Sequence, residues 1–492
     1  MLKKLLGLLS DALVYGVGSM LGQLIGFFLL PLYTARLSPK DYGVLAMFSI
    51  LAAIFPSVAF VGMKSSIFRF FNLTKDENDR AVFLGVGFMI VCLVTSVLLI
   101  GGLLETRLIA RGLLGRPGLE HLLRLALIST AASTIGEIPL LVLQAARRPK
   151  ITTTLNFAKT LSGVLFTVLM VVGFEQGVAG VVIAGAVTNL AFMVIHIVVT
   201  WHYYRFTVDF PIVRRMLSYG LPFLPYRLLA MGTVYFSTYM VRRYMGLDDA
   251  GLYSMAERFA TPIVFIVAAL TQAWWPYRFK VFAEDADPAA FFRTTVTYYV
   301  AAIGYLWVGV SVWGPEAVRL LTNARFHSAA LLIPAVAFIP VIQGFFQMVS
   351  TGLEVSEDTR AVPLVSLAGF LVVAASTALL IPPLGRFGAA LAATLGWAAA
   401  TSAMYVLAQR RYRIEYDWAT LSGLTALAAV TVLCGVGVQR FGFPYRVGFA
   451  LLASLLYPLA SFAVLHRSRI EHERMQILRD RVVSRLRRMR AA

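Results

Sequence analysis

Charged side chains are scarce in this chain: Asp, Glu, Lys and Arg make up 14% of its 492 residues, against 59% hydrophobic. A soluble domain carries roughly 25% charge to clothe its surface, so this composition excludes one and points to a membrane protein. Acidic residues are the scarcer kind, 25 against 44 basic, which leaves a net charge of +19. That excess does not imply nucleic acid, because it is spread over short turns and a C-terminal tail and is not gathered in a polar domain; a membrane surface suits it. Cysteine is nearly absent. Cys92 and Cys434 both fall in apolar runs, which excludes a disulfide framework or a cysteine metal site and leaves them as small packing residues. No nucleophile, metal-ligand or phosphate-loop motif is present, so neither a metal nor a cofactor is expected. A cleavable signal is not expected either: Lys3-Lys4 and Leu5 to Leu9 imitate one, but a full-length apolar run follows.

What the chain has in quantity is apolar runs of membrane-spanning length. An α-helix needs about 20 apolar residues to cross the hydrocarbon core, and fourteen such runs occur, at 12–35, 42–71, 81–104, 121–146, 152–172, 178–202, 216–241, 251–275, 294–313, 328–352, 363–381, 388–408, 418–438 and 447–464. The alternation of a transmembrane barrel is missing. With both termini inside, the inner connections carry 26 Lys and Arg and the outer ones 12, with 6 inside spans. Basic residues near span ends stay on the cytoplasmic side, which favours that orientation.

The stretch LLPLYTARLSPKDYGVLAMF is echoed 208 positions later, where Asp41, Gly43 and Met47 recur as Asp249, Gly251 and Met255. At the same offset Gly177, Gly180 and Ala184 recur as Gly385, Gly388 and Ala392, and Tyr204-Arg205 as Tyr412-Arg413. The chain is therefore read as two related halves: an N-terminal lobe at 1–208 and a C-terminal lobe at 209–416, of six helices each. Two additional spans at 417–466 and a basic amphipathic cytoplasmic tail at 467–492 follow. In that tail Leu478, Val482, Leu486 and Met489 stand at helical spacing among nine arginines, as suits an anionic leaflet.

Ionisable residues inside spans carry the functional signal, because a lone charge in hydrocarbon costs about 3 kcal/mol or more. Glu137 and Lys159 stand equally far from the turn at 147–150 and are expected to neutralise each other across a helical hairpin. His196 is read as a hydrogen-bonded packing residue. In the seventh span Gly220, Pro222 and Pro225 interrupt helical hydrogen bonding just before Arg227, and broken spans accompany substrate sites in transporters built from repeats. Arg227, about eleven residues into that span, is the leading candidate for an anion contact. Lys64, Arg69, Arg258 and Glu257 complete the expected substrate-binding set. With Glu137 and Lys159 set aside, five basic residues face one acidic residue in the spans. That balance suits a pyrophosphate or an acidic sugar and suits a cationic drug poorly.

The strings YGLPFLPYR, RRYMGLDDAGLYSMAERF, GLEVSEDTRAVPLV and LLIPPLGRFGAALAATLG resemble the polysaccharide-export branch of the multidrug, oligosaccharidyl-lipid and polysaccharide exporter superfamily, over nearly the whole chain. The resemblance implies two pseudo-symmetric six-helix lobes around a central cavity, two extra helices, and residence in the bacterial inner membrane. It further implies a flippase for undecaprenyl-pyrophosphate-linked oligosaccharide in surface polysaccharide biosynthesis. Its partners are then the lipid-linked substrate, membrane lipids, and a polysaccharide polymerase or glycosyltransferases, with no nucleic acid. Two departures stand out. The family's late Asp-Arg in span seven is here Ser237-Thr238, and residues 12–35 lack the basic residues that lipid II flippases place in their first span.

The competing functions are a cation-coupled multidrug exporter of the same fold, which calls for an acidic cavity, and a membrane glycosyltransferase or ligase. The latter needs an aqueous catalytic segment, and the outer connection at 105–120 is short. The topology makes the first testable statement: cysteine labelling from either side places residue 110 and the C-terminal tail on opposite faces of the membrane. Finding them on one face would overturn it.

Overall fold

The computed structural model describes residue 27 and residues 30–115, 117–285, 287–356 and 362–466. Most of the first expected span and the basic tail lie outside these. The described residues are helical nearly throughout, with no strand among them. The helices are α1 (Leu30–Arg36), α2 (Pro39–Ala59), α3 (Met63–Leu73), α4 (Glu77–Leu104), α5 (Thr106–Leu114), α6 (Glu120–Ala145), α7 (Pro149–Val168), α8 (Gly177–Thr200) and α9 (Phe210–Gly220). They continue with α10 (Phe223–Met245), α11 (Leu247–Glu284), α12 (Pro288–Leu321), α13 (Ile333–Val349), α14 (Thr351–Val355), α15 (Val362–Leu384), α16 (Arg386–Arg411), α17 (Trp418–Val438) and α18 (Phe443–His466).

Among the described residues, twelve helical segments are long and apolar enough to cross a membrane; they coincide with expected spans two to six and eight to fourteen. The chain is an all-α, multi-pass membrane protein. The seventh expected span falls on α9 and α10, and the 23 residues of α10 give about 35 Å of helix against a core of about 30 Å. Arg227, Arg242 and Arg243 make α10 more polar than the twelve, and it is not one of them. Two elements differ from expectation. Helices α11 and α12 run for 38 and 34 residues, well past 251–275 and 294–313, because hydropathy marks where hydrocarbon ends and not where helical hydrogen bonding ends. The second span is broken: α2 stops at Ala59 and α3 starts at Met63, with Val61 at φ +47° and Gly62 at φ +76°. A β-branched residue in the left-handed region is rare and strained.

The described chain divides into two compact units. One comprises the chain up to Met255 with Leu321–Phe326 and Phe370–Ala393, and the other Ala256–Leu320, His327–Gly369 and the chain from Thr394.

In the first unit the internal repeat reappears as geometry. A Cβ on Gly43 would overlap the Leu247 carbonyl, and a Cβ on Gly251 would overlap the Pro39 carbonyl. Shifting the first contact by the repeat offset of 208 produces the second, so the two Asp-x-Gly segments cross as a pseudo-two-fold pair. Asp41 caps α2 reciprocally with Ser38, at 2.9 Å to its amide and 2.8 Å to its hydroxyl. Its counterpart Asp249 pairs with Arg386 at 3.3 Å. The matched Gly177 and Gly385 both turn left-handed, at φ +53° and +57°. Between these ends, Phe60, Met63, Ile67, Phe70, Ile138 and Met216 form a buried core joining α3, α6 and α9.

In the second unit Phe346, Val349, Leu353, Val365 and Met404 form a further core. The α17–α18 pair is tied to α12. Glu316 accepts from Arg446 Nε and from Arg319 Nη1, each at 2.6 Å, and Trp313 Nε1 donates to Ser454 Oγ at 3.0 Å.

Close backbone approach sets the expectation for glycine replacement. Gly251→Ala forces a methyl into Pro39 and costs about 1–3 kcal/mol, read as a lower thermal unfolding midpoint of the purified protein. Gly448→Ala in α18, where a Cβ meets nothing within 4 Å, is neutral or gains up to about 1 kcal/mol in helix propensity. Equal behaviour of the two variants would contradict the crossing.

Candidate functional site

The two interrupted spans of the first unit meet at their interruptions. A Cβ on Gly62 would overlap the Gly220 carbonyl, and one on Gly220 would come within 2.8 Å of the Val61 carbonyl, so only glycine fits either position. Ser66 Oγ donates to the Met216 carbonyl at 2.9 Å, which fixes α3 against α9. The turn at Val61-Gly62 redirects the chain, and its consequence is the placement of Lys64 on the first turn of α3.

There Lys64 forms an ion pair with Glu137 of α6, and its ammonium lies 4.3 Å from the Phe60 ring centroid. The expected pairing of Glu137 with Lys159 is thereby corrected. Equal depth does bring Lys159 beside this part of α6, but its Nζ approaches Ser133 Oγ at 3.5 Å, one turn short of the carboxylate that the re-aimed Lys64 has taken. Electrostatically Lys159 still feels Glu137.

Ser129, Ser133 and Glu137 stand at intervals of four on α6 and so share a face. Each engages a different helix: Asn189 of α8 donates to Ser129 Oγ at 2.9 Å, Lys159 of α7 approaches Ser133, and Lys64 of α3 pairs with Glu137. All six are only partly buried, whereas Thr130, Ala131, Ala132, Thr134, Gly136 and Ile138 on the rest of α6 are buried. The side chains of Lys64 and Glu137 keep 27% and 38% of their accessible surface. Hydrocarbon does not tolerate such a row of part-exposed charges and amides, so this stripe borders water. Behind it the backbone is held firmly. His196 Nδ1 lies 2.9 Å from the Gly136 carbonyl and the ring is 1% exposed, which makes His196 the packing residue expected.

The other expected site residues are placed as follows. Arg227 is half-buried in the second turn of α10 and has no hydrogen bond or ion pair with a described residue. The break at Leu221-Pro222 restarts the helix at Phe223, so Arg227 lies in its first third and not near its middle. Arg69 is exposed, with its guanidinium carbon 4.4 Å from the Tyr219 ring centroid. Glu257 is half-buried and Arg258 exposed on the part of α11 that belongs to the second unit. Ser129, Ser133 and Asn189 escaped sequence reading because neutral polar residues cost little in a span and do not interrupt an apolar run. A second missed cluster lies in the second unit. Arg278 is 1% exposed and ion-paired with Glu354, whose carboxylate also accepts from Trp275 Nε1 and Ser350 Oγ, each at 2.8 Å.

A membrane-crossing helical protein with two interrupted spans and a charged, water-facing stripe has the make-up of a transporter. Solved transporter structures share its fold. The lipid II flippase MurJ in an inward closed conformation matches with a TM-score of 0.72 over 92% of this chain and 99% of that one, at 12% identity. An inward-facing multidrug resistance MATE family transporter of the MOP superfamily matches at 0.62 over 84% and 99%, at 15% identity. In sequence, a protein of the Lsg locus of Haemophilus influenzae is 21% identical over 281 residues, 56% of this chain and 67% of that one. The profile of the family described as polysaccharide biosynthesis protein matches residues 8–282, and the chain belongs to that family.

The water-facing stripe is open to chemical test. In intact vesicles a water-soluble maleimide labels Ser133→Cys but leaves Leu165→Cys, on the exposed apolar face of α7, unlabelled. Equal labelling of both would place Ser133 against lipid.

Proposed function

We propose that this protein is a flippase that carries undecaprenyl-pyrophosphate-linked oligosaccharide from the inner to the outer leaflet of the bacterial inner membrane, for surface polysaccharide biosynthesis. The observation that carries this reading is the positive surplus on a water-facing stripe: Lys64 is paired with Glu137, Lys159 lies one turn away on Ser133, and Arg227 lies on a neighbouring interrupted span. Positive charge in a low-dielectric surrounding attracts a pyrophosphate and repels a cationic drug. Membership of the polysaccharide biosynthesis family supports the sugar part of the cargo, and the fold likeness to a lipid II flippase supplies a precedent for a lipid-linked one.

No covalent chemistry is needed. The lobes 1–208 and 209–416 alternate access to a central cavity from each side of the membrane, while the lipid tail remains in hydrocarbon. Both termini are cytoplasmic. Arg227 contacts a substrate phosphate through its forked donors, Lys64 contributes to the same path, and Arg69 lines it. Glycosyltransferases supply the substrate and a polymerase consumes it.

Deleting the gene leaves lipid-linked intermediates on the inner leaflet and depletes surface polysaccharide; normal amounts of both would remove the basis for the reading. Arg227→Ala lowers export about tenfold or more at normal protein abundance, as expected for loss of charge-assisted hydrogen bonds. Arg227→Lys retains part of the activity, since charge survives without the two-pronged geometry. Export by Arg227→Ala at the wild-type level would show that the side chain merely reaches for headgroups.

A further inference from the structure

Glu137 is one carboxylate with two ammonium groups on its face of α6. Lys64 reaches it from α3 as an ion pair, and Lys159 approaches Ser133, one turn away, from α7 at 3.5 Å. The surroundings separate what is rigid here from what is free. Gly136 packs so closely on α8 that a Cβ would come within 3.1 Å of Met193 Cα, and His196 engages its carbonyl. The Glu137 backbone is therefore pinned, while its side chain, 38% exposed, has three rotatable bonds facing water. Lys64 and Lys159 are likewise long and flexible.

Resting on the phosphate-bearing cargo proposed above, we propose that Glu137 is a resident counter-anion that occupies the phosphate position when the site is empty and is displaced when phosphate arrives. Two bare lysines side by side in a low-dielectric wall repel each other and hold an incoming anion too firmly. With Glu137 in reach, loading becomes an exchange: phosphate oxygens take the ammonium donors, and the carboxylate swings into water. Unloading is the reverse exchange, in which Glu137 recaptures Lys64 as the phosphate departs. The device makes the site weak by design, which is what a carrier that must release its cargo needs. Lys159, with no carboxylate held as closely as that of Lys64, is the first group the phosphate meets.

A merely structural ion pair predicts the opposite response to losing the carboxylate. The full-length protein in detergent is titrated calorimetrically with inorganic pyrophosphate, with thermal unfolding recorded in parallel. Glu137→Gln is expected to bind pyrophosphate about tenfold or more tightly than wild type, a change of about 1.4 kcal/mol or more, while exporting more slowly in cells. The gain is expected to disappear in the double variant Lys64→Gln with Glu137→Gln. Folded Glu137→Gln with unchanged or weaker affinity overturns the proposal, as does absence of pyrophosphate binding in every variant. Should Glu137→Gln fail to fold, Glu137→Asp, which withdraws the charge by one methylene, is expected to lie between wild type and the tight-binding value; affinity equal to wild type would overturn it. Anionic phospholipid added at equal phosphate concentration leaves the titration unchanged, and competition by it would overturn the assignment to cargo phosphate. Failure in any of these arms leaves the deletion phenotype as an independent measure of the flippase reading.

Discussion

Where Gly62 meets Gly220 two interrupted helices lie backbone on backbone, and the arrangement of the first unit follows from that contact. Without it α3 would continue the line of α2, and Lys64 would have no reason to face Glu137. The contact needs a residue without a side chain on both partners, and Gly62 also takes a left-handed turn at φ +76°. Strain at Val61, with φ +47°, is sustained because the surrounding core of Phe60, Met63, Ile67 and Met216 leaves the backbone no other course. Local cost of this kind is commonly found where function requires a particular geometry.

The spans were legible in the sequence because crossing hydrocarbon is a matter of length and apolarity, both of which can be counted. The break in the seventh span was legible too, because Gly220, Pro222 and Pro225 remove or loosen hydrogen bonds in a way written into residue type. Its partner break was not. Phe60-Val61-Gly62-Met63 holds no proline, and one glycine among apolar residues reads as an ordinary packing position. Missing that turn misassigned the partner of Glu137: depth alone favoured Lys159, and only a redirected α3 lets Lys64 arrive first. Ion pairing in a membrane protein depends on azimuth as well as depth, and azimuth is lost when a span is assumed to be continuous.

The second unit places its buried charge differently. Arg278 and Glu354 are joined beside Trp275 and Ser350, with the guanidinium almost wholly out of contact with solvent. Burial of such a pair is favourable only when the remaining donors and acceptors are engaged, and the indole and hydroxyl donors to Glu354 meet part of that need. The Lys64 and Glu137 pair, by contrast, keeps water within reach of both partners.

Gly177 and Gly385 hold nearly the same backbone torsion, φ +53° and +57°, although the residues around them are mostly different. A left-handed torsion favours glycine, because any other residue there carries strain, so such a corner resists replacement more than a side chain that fills space. At this one corner the repeat is kept in the bend of the main chain and not in the side chains around it.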